Sequence, residues 1–245
     1  MIRFILAAIW VIFFLIVSIP FILIEFVVKL FSKKAAAKSS QVIVCAAFKV
    51  VSFIAGTKII CIGKEKIPEN TPVLFVPNHR SIFDIILTYP LCPGQTGYVA
   101  KKETGMFPVF NVWMYLMNCQ FLDRKDLRKG LKVILKCADT IKAGSSVCIF
   151  PEGTRNKGNE PLLPFHDGSL KIAEKTKCPI VPVTINNSEK IFEAQLPKIR
   201  KATVVIEYGD PIDTSSLSRG EMKEISVKLQ DIIIETYLKN QALIK

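Results

Sequence analysis

The sequence predicts an α/β protein with a mostly parallel central sheet flanked by helices and preceded by a hydrophobic, membrane-associated segment of two helices. Three observations lead to this class. An apolar run opens the chain, strand-like and helical patterns alternate after residue 58, and polar motifs follow several predicted strands. Such alternation is typical of parallel sheets. We therefore divide the chain into membrane-anchoring helices at 1–58 and an α/β domain at 59–245.

The composition excludes several classes of protein. A chain of 245 residues has room for one domain with an appendage, and 50% hydrophobic with 22% charged residues excludes intrinsic disorder. The net charge of +12 predicts an acidic partner such as anionic lipid or a phosphorylated substrate, although solubility alone is an alternative reason for it. No nucleic-acid-binding motif is recognisable, so nucleic acid is not an expected partner.

The seven cysteines indicate a reducing compartment. Their number is odd, none forms a Cys-x-x-Cys pair, and several lie in apolar runs, as buried thiols do. With only two histidines in the chain, no metal site is expected.

The first apolar run, 4–24, contains 21 residues without a charge. At about 1.5 Å per residue it reaches across a hydrocarbon core of about 30 Å. A basic flank follows at Lys29, Lys33, Lys34 and Lys38, which places that side in the cytoplasm by the positive-inside rule. A signal peptide and a buried core helix are the alternatives, but the run is long for a signal core and has no polar face. Whether it spans or re-enters stays open.

A second apolar stretch, 42–55, is interrupted by Lys49. It is too short to cross a bilayer, so we expect an interfacial or re-entrant helix there.

After this segment the patterns predict six strands and five helices. The strands are expected at 73–76, 97–100, 119–122, 147–150, 180–185 and 203–208. The helices are expected at 82–88, 107–117, 127–143, 169–177 and 220–239. In parallel sheets ligands bind at the carboxyl ends of strands, so residues directly after these strands are the candidates for chemistry.

The first candidate is a histidine and an aspartate five residues apart. His79 follows the strand at 73–76, and Asp84 lies just inside the next helix, where Ser81 has the pattern of an N-cap. Asp84 can then accept the Nδ1 proton of His79 and leave Nε2 free as a base. In the alternative, Asp84 only caps the helix and His79 is a turn residue. His166 is a rival base, which its neighbour Asp167 is badly placed to orient.

The second candidate is the segment 150–155, Phe-Pro-Glu-Gly-Thr-Arg, at another strand end. Gly153 permits a tight turn, Thr154 can donate a hydrogen bond, and Arg155 offers a planar fork for phosphate. Glu152 could accept a hydrogen bond from a substrate hydroxyl. The alternative is a surface turn with solvated charges.

Basic residues follow two further strands. Lys101 and Lys102 end one, and Arg124 follows the other. Each could be a solvated strand end, but together with His79 and Arg155 they would form a basic cleft for an anion.

Together these motifs resemble the glycerolipid acyltransferase family, whose members acylate lysophosphatidic acid in membranes. The family pattern Asn-His-x4-Asp matches 78–84, and its Phe-Pro-Glu-Gly-Thr-Arg block matches 150–155. Its second block resembles 101–124, with Asn111 and Asn118 where glycines are common, and its Val-Pro-Val strand matches 181–183. The resemblance covers roughly 60–210 and makes 59–245 an acyltransferase domain.

The resemblance implies an enzyme of phospholipid biosynthesis that forms phosphatidic acid. The acyl group would pass from acyl-CoA or acyl carrier protein to the sn-2 hydroxyl of 1-acylglycerol-3-phosphate, with no cofactor. His79 would be the base oriented by Asp84, and backbone amides after His79 could stabilise the oxyanion. Six residues would form the acceptor site: Lys101, Arg124 and Arg155 would bind its phosphate and Glu152 its glycerol, with Gly153 and Thr154 shaping the turn.

Two other functions remain open. The acceptor could be another lysolipid or glycerol-3-phosphate, or the chain could be a non-catalytic, membrane-tethered lipid-binding protein. An intact His79–Asp84 pair favours the enzyme.

Overall fold

Seven strands form one sheet in the computed structural model of the chain, which describes residues 1–123, 126–166 and 168–244. The strands are β1 (Lys58–Ile62), β2 (Leu74–Pro77), β3 (Thr96–Lys101), β4 (Gln120–Leu122), β5 (Ser146–Cys148), β6 (Ile180–Asn186) and β7 (Thr203–Tyr208). Their order is β1-β7-β6-β2-β5-β3-β4, and only the pair β6–β7 is antiparallel in the described part of the chain. The predicted, mostly parallel sheet is confirmed. The carboxyl ends of β2 to β6 therefore meet at one edge.

Helices cover both faces of this sheet. They are α1 (Ile2–Val17), α2 (Ile19–Phe31), α3 (Lys33–Ala55), α4 (Phe83–Thr88), α5 (Phe110–Leu116), α6 (Leu127–Lys142), α7 (Lys171–Thr176) and α8 (Arg219–Asn240). Alternate strand residues point to opposite faces: Phe75 packs in the core with α3, α4 and α5, whereas Leu74 and Val76 pack in the core with α6, α7 and α8. The sheet is thus the middle layer of the domain.

The predicted elements of the domain are present, with shifted ends. The expected helix at 107–117 is shorter as α5, because Val109, directly before its first residue, has a φ of 64°, which is not a helical conformation. Strand β1 was not predicted, since it is a half-exposed edge strand whose short apolar run lies directly after a helix. The division of the chain at residue 58 coincides with the start of β1 but stays a prediction.

The first apolar run is two helices rather than one. Helices α1 and α2 are bent by 49° at Ser18. Pro20 lies in the first turn of α2, where it cannot donate the hydrogen bond that would continue α1.

The expectation of a short second helix was wrong. Residues 42–55 belong to α3, which has 23 residues, because Ser32 caps a helix whose first turns are formed by residues 33–41, which are polar apart from three alanines. By length and composition α3 could cross a membrane, and the bent pair α1–α2 could form a second span.

The N-terminal helices pack on the domain through aromatic residues. Trp113 of α5 donates from Nε1 to Ser18 Oγ at 2.9 Å. Within the N-terminal segment, Trp10 of α1 donates to the Ala47 carbonyl of α3 at 3.1 Å. The ring of Phe4 stacks on that of Phe192, with centroids 5.7 Å apart. The outward faces of α1 and α2 remain exposed and apolar.

Candidate active site

The candidate site begins where β2 ends. Asn78 is fully buried, and its side chain makes two hydrogen bonds to the backbone of Ile185 in the neighbouring β6: Nδ2 donates to the carbonyl at 2.9 Å, and Oδ1 accepts the amide at 2.7 Å. This pair fixes the direction in which the chain leaves the sheet. The next residue, His79, is therefore placed by the sheet rather than by a free loop.

His79 and Asp84 form the pair that the sequence predicts. His79 Nδ1 lies 2.7 Å from Asp84 Oδ2, and Asp84 is fully buried. The same Oδ2 accepts the amides of Arg80 and Ser81, while Ser188 Oγ donates to Oδ1. Asp84 thus has both of the roles that the sequence left as alternatives. It accepts the backbone amides before α4, and it orients the imidazole of His79. A carboxylate acceptor at Nδ1 leaves Nε2 as the ring nitrogen for substrate.

Two residues of the segment 150–155 hold His79 in place. The Phe150 ring stacks on the imidazole with centroids 4.1 Å apart. Glu152 accepts the His79 amide on Oε1 at 2.6 Å and the Leu163 amide on Oε2 at 2.8 Å. Both carboxylate oxygens of Glu152 are therefore engaged by backbone. This geometry supports a role in positioning His79 more than contact with a glycerol hydroxyl.

Burial changes the acidity of Glu152. Only 3% of the residue is exposed, and this desolvation raises the pKa of the carboxyl to about 7, against the opposing effect of the two amides. The carboxylate that braces His79 is therefore close to protonation at neutral pH.

The following turn brings Arg155 to the same edge. Gly153 has φ of 69°, a conformation that favours glycine, while Thr154 and Arg155 are exposed. The Asn156 amide donates to the His79 carbonyl at 2.7 Å, which ties this turn to the histidine.

Arg155 is paired with a carboxylate that the sequence did not single out. Arg155 Nη1 lies 2.8 Å from Glu193 Oε1, which also accepts the Ile82 amide at 2.8 Å. Ser81 Oγ donates to the other oxygen of Glu193 at 2.5 Å. The site thus gathers His79, Asp84, Glu152 and Arg155 around one strand end, with Glu193 as an added member.

The expected oxyanion site does not exist in this arrangement. The amides of Arg80 and Ser81 are bound by Asp84, that of Ile82 by Glu193, and that of Phe83 by Ser81 Oγ. Since these amides at the helix start already have acceptors, the expectation that they stabilise an oxyanion was wrong.

Two lysines predicted for the site lie apart from this group. Lys101 is at the carboxyl end of β3, two strands from β2, and faces Glu103 at 3.6 Å. Lys102 pairs with Asp123 at 2.9 Å. Arg124 lies outside the described residues. His166 is exposed, and its amide donates to the Pro151 carbonyl.

Sequence reasoning missed three residues around the pair. Arg80 is buried and donates to the carbonyls of Gly158 and Glu160 at 2.9 and 2.8 Å. Its place inside the motif was a usable signal. Ser188 is the second residue after β6, so the strand-end rule could have found it. Glu193 has no local pattern and is recognised only from its contacts.

An open cleft of about 430 Å³ lies between α2, α5 and β4. Its lining is mostly apolar and comprises Phe26, Lys102, Gly105, Met106, Asn111, Val112, Tyr115 and Phe121.

All seven cysteines are free thiols, as predicted. Burial raises the pKa of Cys119 and Cys137 to about 12, so these thiols stay protonated at neutral pH. Within the described residues, no group of three or more His, Cys, Asp or Glu side chains could hold a metal ion.

Comparison with known proteins adds independent findings. The profile of a family described as "Acyltransferase" matches residues 58–186. Two similar relatives are both named 1-acyl-sn-glycerol-3-phosphate acyltransferase. That of Borreliella burgdorferi is 31% identical over 80% of this chain and 78% of its own length. That of Helicobacter pylori is 36% identical over 68% of this chain and 69% of its own.

A solved structure has the same fold. It is the 1-acyl-sn-glycerophosphate (LPA) acyltransferase PlsC of Thermotoga maritima, with a TM-score of 0.78 and 23% identity over 98% of this chain and 97% of that one. The alignment includes the N-terminal helices as well as the sheet.

Proposed function

Because the chain belongs to the acyltransferase family, we propose that it transfers an acyl group from a thioester to the sn-2 hydroxyl of 1-acyl-sn-glycerol-3-phosphate. The product is phosphatidic acid. The observation that carries the proposal is the 2.7 Å contact between His79 Nδ1 and the fully buried Asp84. The names of the relatives supply the acceptor.

The chemistry follows from that contact. His79 Nε2 takes the proton of the sn-2 hydroxyl while its oxygen attacks the thioester carbonyl. The carbon–sulfur bond then breaks, and the imidazolium returns the proton to the leaving thiolate. Asp84 stabilises the imidazolium between these steps and fixes its ring. The substrate alcohol is the nucleophile, so the mechanism uses no serine or cysteine of the chain.

Arg155 is the residue that we assign to the acceptor phosphate. Its guanidinium lies beside the start of the helix that follows His79, and only Nη1 is used in the pair with Glu193. The other N–H groups suit a phosphate, which guanidinium binds through two parallel hydrogen bonds. Lys101 and Arg124 remain predicted contributors to this phosphate site.

Acyl-CoA or acyl carrier protein is the proposed acyl donor, and no cofactor is required. The cleft of about 430 Å³ supports this reading, because its aromatic and aliphatic lining suits an acyl chain. Lys102 on the cleft wall suits an anionic group of either substrate.

We place the enzyme on a membrane with its site on the cytoplasmic side. Large apolar residues of α2 are exposed, including Leu23 at 64%, Leu30 at 84% and Phe31 at 86%. A surface of this kind is typical of membrane contact. Both acceptor and product are lipids, and transfer of an acyl chain to water costs about 0.8 kcal/mol per CH₂. The lysines after α2 support the cytoplasmic orientation.

The test is an acylation assay of the purified protein with labelled acyl-CoA and acyl carrier protein. With 1-acylglycerol-3-phosphate as acceptor, His79→Ala should lower the rate by at least about 100-fold, because the base is gone. His166→Ala is the matched control and should retain wild-type activity, since the His166 side chain is exposed and the variant keeps its backbone hydrogen bond to Pro151.

Other outcomes would contradict the proposal. Full activity of His79→Ala would show that His79 is not the base. If the wild type acylates glycerol-3-phosphate or lysophosphatidylcholine faster, that compound is the acceptor instead. Lipid binding without transfer makes the chain a lipid-binding protein.

A further inference from the structure

Glu193 connects the two functional parts of the site. Its Oε1 lies 2.8 Å from both Arg155 Nη1 and the Ile82 amide, and its Oε2 accepts from Ser81 Oγ. We propose that Glu193 is a positioning residue, which holds Arg155 beside the His79 loop so that the acceptor phosphate and its sn-2 hydroxyl are bound in register. This inference rests on the proposed function and deepens it.

Arg155 needs such an anchor. Its side chain is 44% exposed and has four rotatable bonds, so an unpaired guanidinium would sample many positions. Glu193 is 15% exposed, which makes the pair only partly screened by solvent. Binding at Nη1 leaves the remaining donors of the fork to face a phosphate.

The same carboxylate also fixes the loop that carries the base. Ser81 and Ile82 are the second and third residues after His79, and both donate to Glu193. The separation between imidazole and guanidinium is thus set by one side chain. The acceptor carries its phosphate and its reacting hydroxyl on adjacent glycerol carbons. The groups that bind them must therefore be held at a fixed separation.

Glu193 itself stands on a braced turn. The preceding Ile191 is fully buried, and its carbonyl accepts the Arg200 amide at 2.9 Å. The Phe192 ring stacks on Phe4 of α1 with an angle of 11° between the rings. Because the backbone before Glu193 is fixed by these two contacts, its carboxylate can position Arg155 rather than move with it.

Kinetics of Glu193→Gln test the proposal. Glutamine keeps an acceptor for the Ile82 amide but loses the charge that holds Arg155. We expect the KM for 1-acylglycerol-3-phosphate to rise about tenfold, with kcat and the KM of the acyl donor within about twofold of wild type.

Glu207→Gln is the matched control. Glu207 is 11% exposed and lies 2.8 Å from Lys239 Nζ, so the same change removes a similar ion pair on β7, away from the site. Both KM values should stay near wild type in this variant. An equal rise of both KM values in Glu193→Gln, or a fall of the acceptor KM, would overturn the proposal.

A double-mutant cycle separates positioning from direct binding. In an Arg155→Ala background, Glu193→Gln should raise the acceptor KM no further, since the group that it positions is absent. If the effects of the two substitutions on the acceptor KM multiply in the double variant, Glu193 acts without Arg155. If the wild type acylates this acceptor and Arg155→Ala alone raises its KM, a null result for Glu193→Gln refutes only this inference and leaves the proposed function standing.

Discussion

Glu152 combines two requirements that conflict. Its two oxygens accept backbone amides and brace His79, which favours the carboxylate. Its burial favours the neutral acid and raises its pKa from 4.5 to about 7. Glu152 therefore has a raised pKa while it accepts the amide of His79, the proposed base.

This conflict predicts a pH-dependent stability. Between pH 4.5 and 7 the folded protein holds a proton on Glu152 that the unfolded chain has already released. Stability should fall as the pH rises through this window, by up to about 3 kcal/mol from this group. Glu152→Gln should flatten the dependence, because its amide does not titrate. Urea denaturation at several pH values measures both slopes, and equal slopes would contradict the prediction.

Local patterns predicted the contact between His79 and Asp84 but not its surroundings. His79 and Asp84 are five residues apart, so spacing alone placed them together. Ser188 and Glu193 reach the same group from more than a hundred residues along the chain. No short-range pattern contains such contacts, because they follow from strand order. For the same reason, the amides after His79 looked free in sequence although other side chains occupy them.

At the scale of elements, a buried hydrogen bond joins the bend between α1 and α2 to the domain. Ser18, at the bend between α1 and α2, accepts from Nε1 of Trp113, which is 1% exposed. Without that acceptor the indole N–H would be buried and unpaired, which costs about 1–3 kcal/mol.

Ser18→Ala should therefore lower the free energy of unfolding by about 1–3 kcal/mol. In a Trp113→Phe background the same substitution should cost much less, since the donor is gone. Thermal melts of the four proteins in detergent provide the comparison. An equal cost in both backgrounds would mean that the bond does not stabilise the bend.

Sequence predicted element types better than element ends. Apolar periodicity marked the central strands because both of their faces are buried. It missed β1, which is half exposed, and it began the second apolar helix too late, at 42 instead of 33, because the first turns of α3 are mostly polar. Hydrophobicity reports burial, and helix length follows instead from backbone hydrogen bonds and caps.

At the scale of the molecule, exposed apolar surface is concentrated on the N-terminal helices. Replacing Leu23, Leu30 and Phe31 by serine should weaken binding to vesicles of phosphatidylethanolamine and phosphatidylglycerol by at least tenfold, because each loses about 1.5–3 kcal/mol of burial. Vesicle co-sedimentation measures this. The control pair Leu131→Ser and Leu135→Ser changes exposed leucines of α6 and should bind like wild type. An equal loss of vesicle binding in the α2 and α6 variants would show that α2 is not the specific site of lipid contact.

The stacked rings of Phe4 and Phe192 connect the first helix to the turn that carries Glu193. Phe192 directly precedes Glu193, whose carboxylate pairs with Arg155. One ring contact and one ion pair therefore link the N-terminal helix to the arginine that we assign to the acceptor phosphate. A substitution at Phe4, about 150 residues away along the chain, is thus expected to alter headgroup binding.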